Sequence, residues 1–365
     1  MRVVVKIGSN LLTDKTGRIN QRRIHYIAKE VAELHDKSLE IVIVSSGAIA
    51  SGLKKLGLKS KPKEIRIKQA TAAVGQPLLM WMYEKHFLKY KKHIAQILLT
   101  RDDLSNRQRY VNAKNTLLTL LEMGVIPIIN ENDTVATDEI KFGDNDQLAA
   151  LVSGLIEANH LIILSDVEGL YTSDPKKEPD AKIIKHVKEF SKEIETIAKP
   201  TSTGYGTGGM FSKVIAAKKA TSFGIPVSII SGRKYGNITA VIEGKNVGTY
   251  FEPVEEKVTS RKGWIAYATR SKGNLYIDNG AVNALIKNGK SLLPSGVKKV
   301  EGEFDVGDAV YCIDEKGEKI AKGLVNYSSC EVKLIKGKKS TEIEKILGYK
   351  YSDEIIHRDN LVILV

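Results

Sequence analysis

Val3-Val4-Val5-Lys6-Ile7-Gly8-Ser9, followed further on by Ile41-Val42-Ile43-Val44-Ser45-Ser46-Gly47, decides the fold. Each stretch is a β-branched run that ends at small residues. Between them, over residues 21–37, Ile24, Ile27, Val31 and Leu34 recur at helical spacing. The grammar is strand, turn, helix, strand. It repeats with strands at 94–99, 125–129, 161–164 and 227–230 and helices at 106–123, 148–157 and 213–223. Runs apolar on both faces, alternating with helices, imply a parallel sheet covered on both sides. The expectation for residues 1–254 is an α/β domain with an open, mainly parallel sheet sandwiched by helices.

Beyond residue 254 the grammar changes. Residues 255–270 read as a linker, opening on the charged stretch 255–262. Short strand-like runs follow at 275–277, 309–313 and 323–325, with helices at 280–288 and 341–347. Residues 271–365 therefore read as a small β-rich module. Two domains also suit the length, since 365 residues exceed the roughly 250–300 at which a single core stops growing.

Composition narrows the class. With 42% hydrophobic and 27% charged residues the chain is globular in type. No apolar run approaches the ~18 residues of a membrane helix, and the N-terminus meets Lys6 and Gly8 too early for a signal peptide. The two cysteines, Cys312 and Cys330, have no metal-ligand spacing. A cytoplasmic location with reduced thiols is expected. The net charge of +13 sits mainly in residues 1–254, where Lys and Arg exceed Asp and Glu by 37 to 27, against 19 to 16 beyond. Such an excess suits a phosphate-rich ligand or a solvated lysine surface. A dedicated RNA-binding role is disfavoured, because the C-terminal excess is small and unconcentrated.

Five loops carry candidate chemistry. Lys6 ends the first strand, and Gly8 and Ser9 offer backbone N–H groups to a phosphate there, although a plain tight turn has the same composition. Ser45-Ser46-Gly47 opens a helix, where Gly47 could contact phosphate through its backbone or a serine could simply cap. Asn130-Glu131-Asn132-Asp133, with Gly143-Asp144-Asn145-Asp146 after it, offers carboxylate for ammonium and amide for carboxylate, as a zwitterion needs. Asp146 could position a lysine or a metal ion. Ser165-Asp166 ends another strand and could cup a base or ribose. Gly204 to Lys213 is a glycine-rich run leading into a helix, suited to cradling phosphate. The G-x-x-x-x-G-K-[ST] loop is missing from the sequence, which disfavours a Walker-type NTPase.

Lys6 and Lys213 together suggest phosphoryl transfer, in which the protein positions groups and stabilises charge. A carboxylate acceptor is nucleophilic at neutral pH and needs no general base, consistent with the lack of a His-Asp or Ser-His arrangement.

Taken together, the chain resembles the amino acid kinase family. The resemblance rests on Val5-Lys6-Ile7-Gly8-Ser9, Val44 to Ala50, Ala73-Val74-Gly75-Gln76, Leu99-Thr100-Arg101, Ile129 to Asp133, Ile140 to Asp146 and Gly206 to Met210. Ser291 to Gly296 resembles a PUA domain. The resemblance implies ATP with Mg²⁺ as cofactor and the side-chain carboxylate of L-glutamate as acceptor, in the first step of proline synthesis. It implies that Lys6 and Lys213 stabilise the phosphoryl group and that Asp146 organises them. Ser46, Asn130, Asp133 and Asn145 would bind glutamate. Ser165, Asp166 and the run Thr207, Gly208, Gly209, Met210, Phe211, Ser212 and Lys213 would bind ATP together with Lys6. Ser165 stands where a threonine is common, and either supplies a hydroxyl. No protein metal ligand is implied. Further implications are a homo-oligomer (dimer or tetramer), proline as feedback inhibitor, and handover to glutamate 5-phosphate reductase. Aspartate, N-acetylglutamate and carbamate are the alternative acceptors.

Overall fold

The computed structural model describes residues 1–13, 19–58, 60, 62–136, 145–173, 175, 178, 180–191, 194, 196–197, 209–254 and 260–364. Thr207, Gly208, Gly143, Asp144 and residues 255–259 of the expected linker lie outside them. The chain divides into two units, Met1–Lys257 and Val258–Val365.

In the first unit the buried runs become the strands β1 (Arg2–Ile7), β2 (Glu40–Val44), β3 (Ile94–Leu99), β4 (Ile126–Glu131), β5 (His160–Ser165), β6 (His186–Val187), β7 (Val227–Ser231) and β8 (Thr249–Phe251). Their order is β3-β4-β2-β1-β5-β7-β8-β6. β1 lies between β2 and β5 and is parallel to both. Leaving β1, the chain adds β2, β3 and β4 on one side, then β5 and β7 on the other. The strand order therefore reverses at β1, and ligands of open α/β sheets bind beyond strand C-termini at such a switch point. Lys6 lies there.

Helices cover both faces: α1 (Ser9–Leu12), α2 (Gln21–Asp36), α3 (Ala48–Lys55), α4 (Ile65–Phe87), α5 (Arg101–Ser105), α6 (Arg107–Glu122), α7 (Asn145–Leu155), α8 (Met210–Ser222) and α9 (Asn237–Ile242). Ile24, Ile27, Val31 and Leu34 of α2 are buried with Leu79, Tyr83 and Phe87 of α4 in one cluster that includes β1 and β2 side chains. Caps set several starts. Asn20 accepts from the Arg23 N–H at the head of α2 (3.1 Å), and Thr100 and Asp103 form a capping box at α5.

Within the first unit the structure departs from the sequence expectation in three places. α4 was not foreseen, because its apolar residues are spread around the helix rather than along one stripe, and Pro77 lies inside it. β8 pairs antiparallel to β7 and β6 has two residues, so the sheet edge is mixed and its strands are too short to read. α7 begins at Asn145 and α8 at Met210, each about one turn earlier than periodicity indicates, because polar residues open α7 and a glycine-rich run leads straight into α8.

The second unit has a five-stranded sheet built from β9 (Ser271–Ile277), β10 (Val297–Gly302), β11 (Ala309–Ile313), β12 (Lys319–Leu324) and β13 (Leu361–Ile363), in the order β10-β9-β11-β12-β13. Only the β9–β11 pair is parallel. Residues 260–268, read as part of a linker, are helical, and Trp264, Ile265 and Ala268 are buried. The charged opening stretch obscured this apolar anchor.

α3 and α4 touch backbone to backbone. A Cβ on Gly75 would stand 1.8 Å from the Ala48 carbonyl oxygen, and one on Gly52 would stand 1.9 Å from that of Thr71. Gly75→Ala should therefore push the helices apart and destabilise the protein by roughly 1–3 kcal/mol, read from the urea unfolding midpoint. An unchanged midpoint would contradict the close approach.

Candidate active site

The C-terminal ends of β1, β2, β4 and β5 open on one edge of the sheet, and the predicted residues gather there in two connected groups.

The first group is ionic. Asp146, in the first turn of α7, is fully buried, and Lys6 and Lys213 are 3% and 5% exposed. Lys6 Nζ pairs with Asp146 Oδ1, and Lys213 Nζ donates to Asp146 Oδ2 at 3.0 Å. Ser212 Oγ donates to the same Oδ2 at 2.9 Å. One carboxylate thus holds two ammonium groups, one from the central strand and one from α8. Charges removed from water this completely must be paired and hydrogen-bonded. Asp146→Ala, which leaves two cations buried together, should cost about 3–5 kcal/mol in urea denaturation. A near-neutral result would mean that the lysines are not held as described.

The second group is a chain of amides. Asn145, the neighbour of Asp146, donates through Nδ2 to the Ser45 carbonyl (2.7 Å), Ser46 Oγ (2.9 Å) and Asn130 Oδ1 (3.0 Å). Asn130 Oδ1 also accepts from the Glu131 N–H (2.9 Å), and Asn130 Nδ2 donates to Gln76 Oε1 (2.8 Å). Asp133 lines a cavity of about 220 Å³ with Gln76, Glu131 and Asn132.

The remaining predicted residues flank these groups. Gly8 precedes α1, and a Cβ there would stand 3.7 Å from Lys6 Nζ. Ser9 is exposed at the start of that helix. Gly47 precedes α3 with φ +107°, a left-handed conformation that favours glycine. Ser165 and Asp166 lie at the end of β5, next to β1, and the Ser165 hydroxyl accepts from the Val167 N–H at 3.4 Å. Gly209 precedes α8 with no side chain capping the helix, and Met210, Phe211 and Ser212 form its first turn beside Lys213. Uncapped N–H groups at a helix start, with two ammonium groups nearby, fit a polyphosphate. No group of three or more His, Cys, Asp or Glu side chains that could hold a metal occurs among the described residues, and both Asp146 oxygens face lysines. These donors suit a magnesium ion carried in on nucleotide phosphates better than a protein-built cage.

Two residues escaped the sequence reading as individuals. Gln76 stands in the quoted Ala73 to Gln76 string, yet a lone glutamine in an apolar helix carries no signal of its own. Glu131 was read only as part of a polar loop. Burial and the neighbouring Asp133 push its carboxyl up to about 7. The native state thus holds a proton that the unfolded chain releases near its ordinary value of 4.5, so stability falls as pH rises from there to about 7. Glu131→Gln should remove that slope. Its advantage over the native protein should grow between pH 5 and 8, by at most about 3 kcal/mol before solvent screening. Parallel pH profiles in thermal unfolding would contradict the shift.

An open α/β sheet with paired lysines at its switch point, facing an uncapped helix start, is the architecture of a phosphoryl-handling enzyme. The sequence model described as the Amino acid kinase family matches residues 1–231, and the PUA domain model matches residues 273–347. The chain belongs to the amino acid kinase family. It is 52% identical over 364 residues to a Glutamate 5-kinase of Thermoanaerobacter sp. (strain X514), covering 100% of this chain and 98% of that one. It is 51% identical over 363 residues to the Glutamate 5-kinase of Geobacter sulfurreducens, covering 100% and 97%. With that of Moorella thermoacetica the identity is 49% over 363 residues, covering 100% and 96%.

Proposed function

We propose that this chain is an ATP-dependent kinase that phosphorylates the side-chain carboxylate of L-glutamate, giving L-glutamyl 5-phosphate and ADP in the first step of proline biosynthesis. The full-length similarity to glutamate 5-kinases supports this reading. The observation that carries the chemistry is the pairing of Lys6 and Lys213 on the two oxygens of Asp146.

In the reaction a glutamate carboxylate oxygen attacks the γ-phosphorus of ATP. The bond from that phosphorus to the β,γ-bridging oxygen breaks, and the electron pair leaves with ADP. No proton needs to move, so no general base is required. Charge in a loose transition state lies on the transferring oxygens, where fixed cations act most strongly. Lys6 and Lys213 supply those cations. Asp146 holds their ammonium groups in place without neutralising both, since two positive charges face one negative. Mg²⁺ bound to the nucleotide phosphates would add further charge neutralisation to that of Lys6 and Lys213. Gly8, Ser9 and Gly47 offer backbone N–H groups, and the start of α8 through Gly209, Met210, Phe211 and Ser212 receives the polyphosphate. Ser165 and Asp166 stand where a nucleoside would lie. Ser46, Asn130 and Asn145 present the polar wall for glutamate, with Asp133 for its ammonium. A free ammonium partner at Asp133 favours glutamate over N-acetylglutamate.

The same reading carries a cytoplasmic location, a homo-oligomer, proline as inhibitor and delivery of the acyl phosphate to glutamate 5-phosphate reductase. Among the described residues no helix is long and apolar enough to cross a membrane.

A coupled ADP assay across glutamate, aspartate, N-acetylglutamate and carbamate tests the assignment. Glutamate should dominate, and Lys6→Ala or Lys213→Ala should lower kcat by roughly 100-fold or more, in the range seen when one transition-state donor is removed. Turnover at the native rate by either variant would contradict the mechanism.

A further inference from the structure

We propose that Gln76 determines substrate specificity, its Nε2 donating to the α-carboxylate of the amino-acid substrate. The inference rests on the glutamate-kinase reading and deepens it.

Backbone groups settle the polarity of the amide chain. The Glu131 N–H only donates, so the Asn130 atom it meets at 2.9 Å is the oxygen. The Ser45 carbonyl only accepts, so the Asn145 atom it meets at 2.7 Å is the amide nitrogen. Asn130 is thereby oriented with its Nδ2 toward Gln76, whose Oε1 accepts at 2.8 Å. Gln76 Nε2 is left as the terminal donor of the chain. Gln76 is 8% exposed, and its Nε2 is buried without a hydrogen-bond partner among the described residues. Buried polar groups are nearly always satisfied, so this orphan donor points to a ligand acceptor that completes it. A carboxylate, which only accepts, is such a group.

The cavity decides which substrate group meets Gln76. Its walls bring Gln76 and Asp133 together against Ala72, Pro77 and Leu98. A donor and a carboxylate lining one cavity suit the carboxylate and ammonium borne on one α-carbon. The reacting carboxylate belongs beside the two lysines that Asp146 holds. Gln76 is itself held by the Gly75 contact with Ala48, which sets how deeply α4 enters the site.

L-isoglutamine separates the groups. It keeps the ammonium and the side-chain carboxylate but replaces the α-carboxylate with an amide. The experiment measures kcat/KM for L-glutamate and L-isoglutamine by coupled ADP release, with ATP affinity by fluorescence titration as a check on folding. In the native enzyme isoglutamine should be used at least ~10-fold less efficiently, through KM, as befits exchange of a charged acceptor for a neutral amide. Gln76→Glu keeps the shape and still accepts from Asn130 but presents an anion in place of the donor. It should lose roughly 10- to 100-fold on glutamate and shift preference toward isoglutamine, while ATP affinity is unchanged. Gln76→Met should lose glutamate efficiency similarly without gaining isoglutamine.

Native isoglutamine use equal to that of glutamate overturns the inference without any variant. So does a folded Gln76→Glu that keeps the native substrate ratio, or one that lowers both substrates equally, because that is a structural effect. If the native enzyme does not phosphorylate glutamate at all, the parent reading fails and this one falls with it. If it does and the ratio is unmoved, only the role of Gln76 fails.

Discussion

The site is organised by one carboxylate taken wholly out of water. Asp146 is fully buried and meets two lysines, one from the central strand β1 and one from helix α8. Burying three charges is costly, and such a triad is weak evidence for stability alone. Its value lies in placement. Lys6 is carried by the innermost strand, and Lys213 is set by the start of a helix that packs on α7. Asp146 fastens the two at the point where strand order reverses.

Asn145 joins this ionic centre to the substrate side. It shares the first turn of α7 with Asp146 and connects Ser45, Ser46 and Asn130. A displacement of α7 would move both groups together, so acceptor and phosphoryl positions are mechanically coupled. The Gly52 and Gly75 contacts bring α4 close enough for Gln76 to join. Small residues here are packing devices, and a single methyl group would be felt in the cavity.

Much of this was legible from the chain. Strands such as Ile41 to Val44 and Leu161 to Leu164 announce themselves because they are apolar on both faces, and the loops that follow them are small and polar. Lys6 stood out at a strand end, Lys213 after a glycine-rich run and Asp146 in a polar loop, while their roles came from the family resemblance. α4 was not, because its apolar residues surround the helix and Pro77 argues against one. β6 and β8 are shorter than any readable period. Gln76 was invisible because its meaning depends on Asn130, a residue of strand β4 far along the chain. The acidity of Glu131 depends on burial, which no local pattern encodes.

The most direct test of the central claim is a crystal structure with ADP, Mg²⁺, glutamate and a planar metal-fluoride mimic of the migrating phosphoryl group. Both Lys6 Nζ and Lys213 Nζ should lie within hydrogen-bonding distance, about 2.7–3.2 Å, of the mimic's fluorides. Either amine turned away from the mimic, with Asp146 holding it elsewhere, would contradict the account.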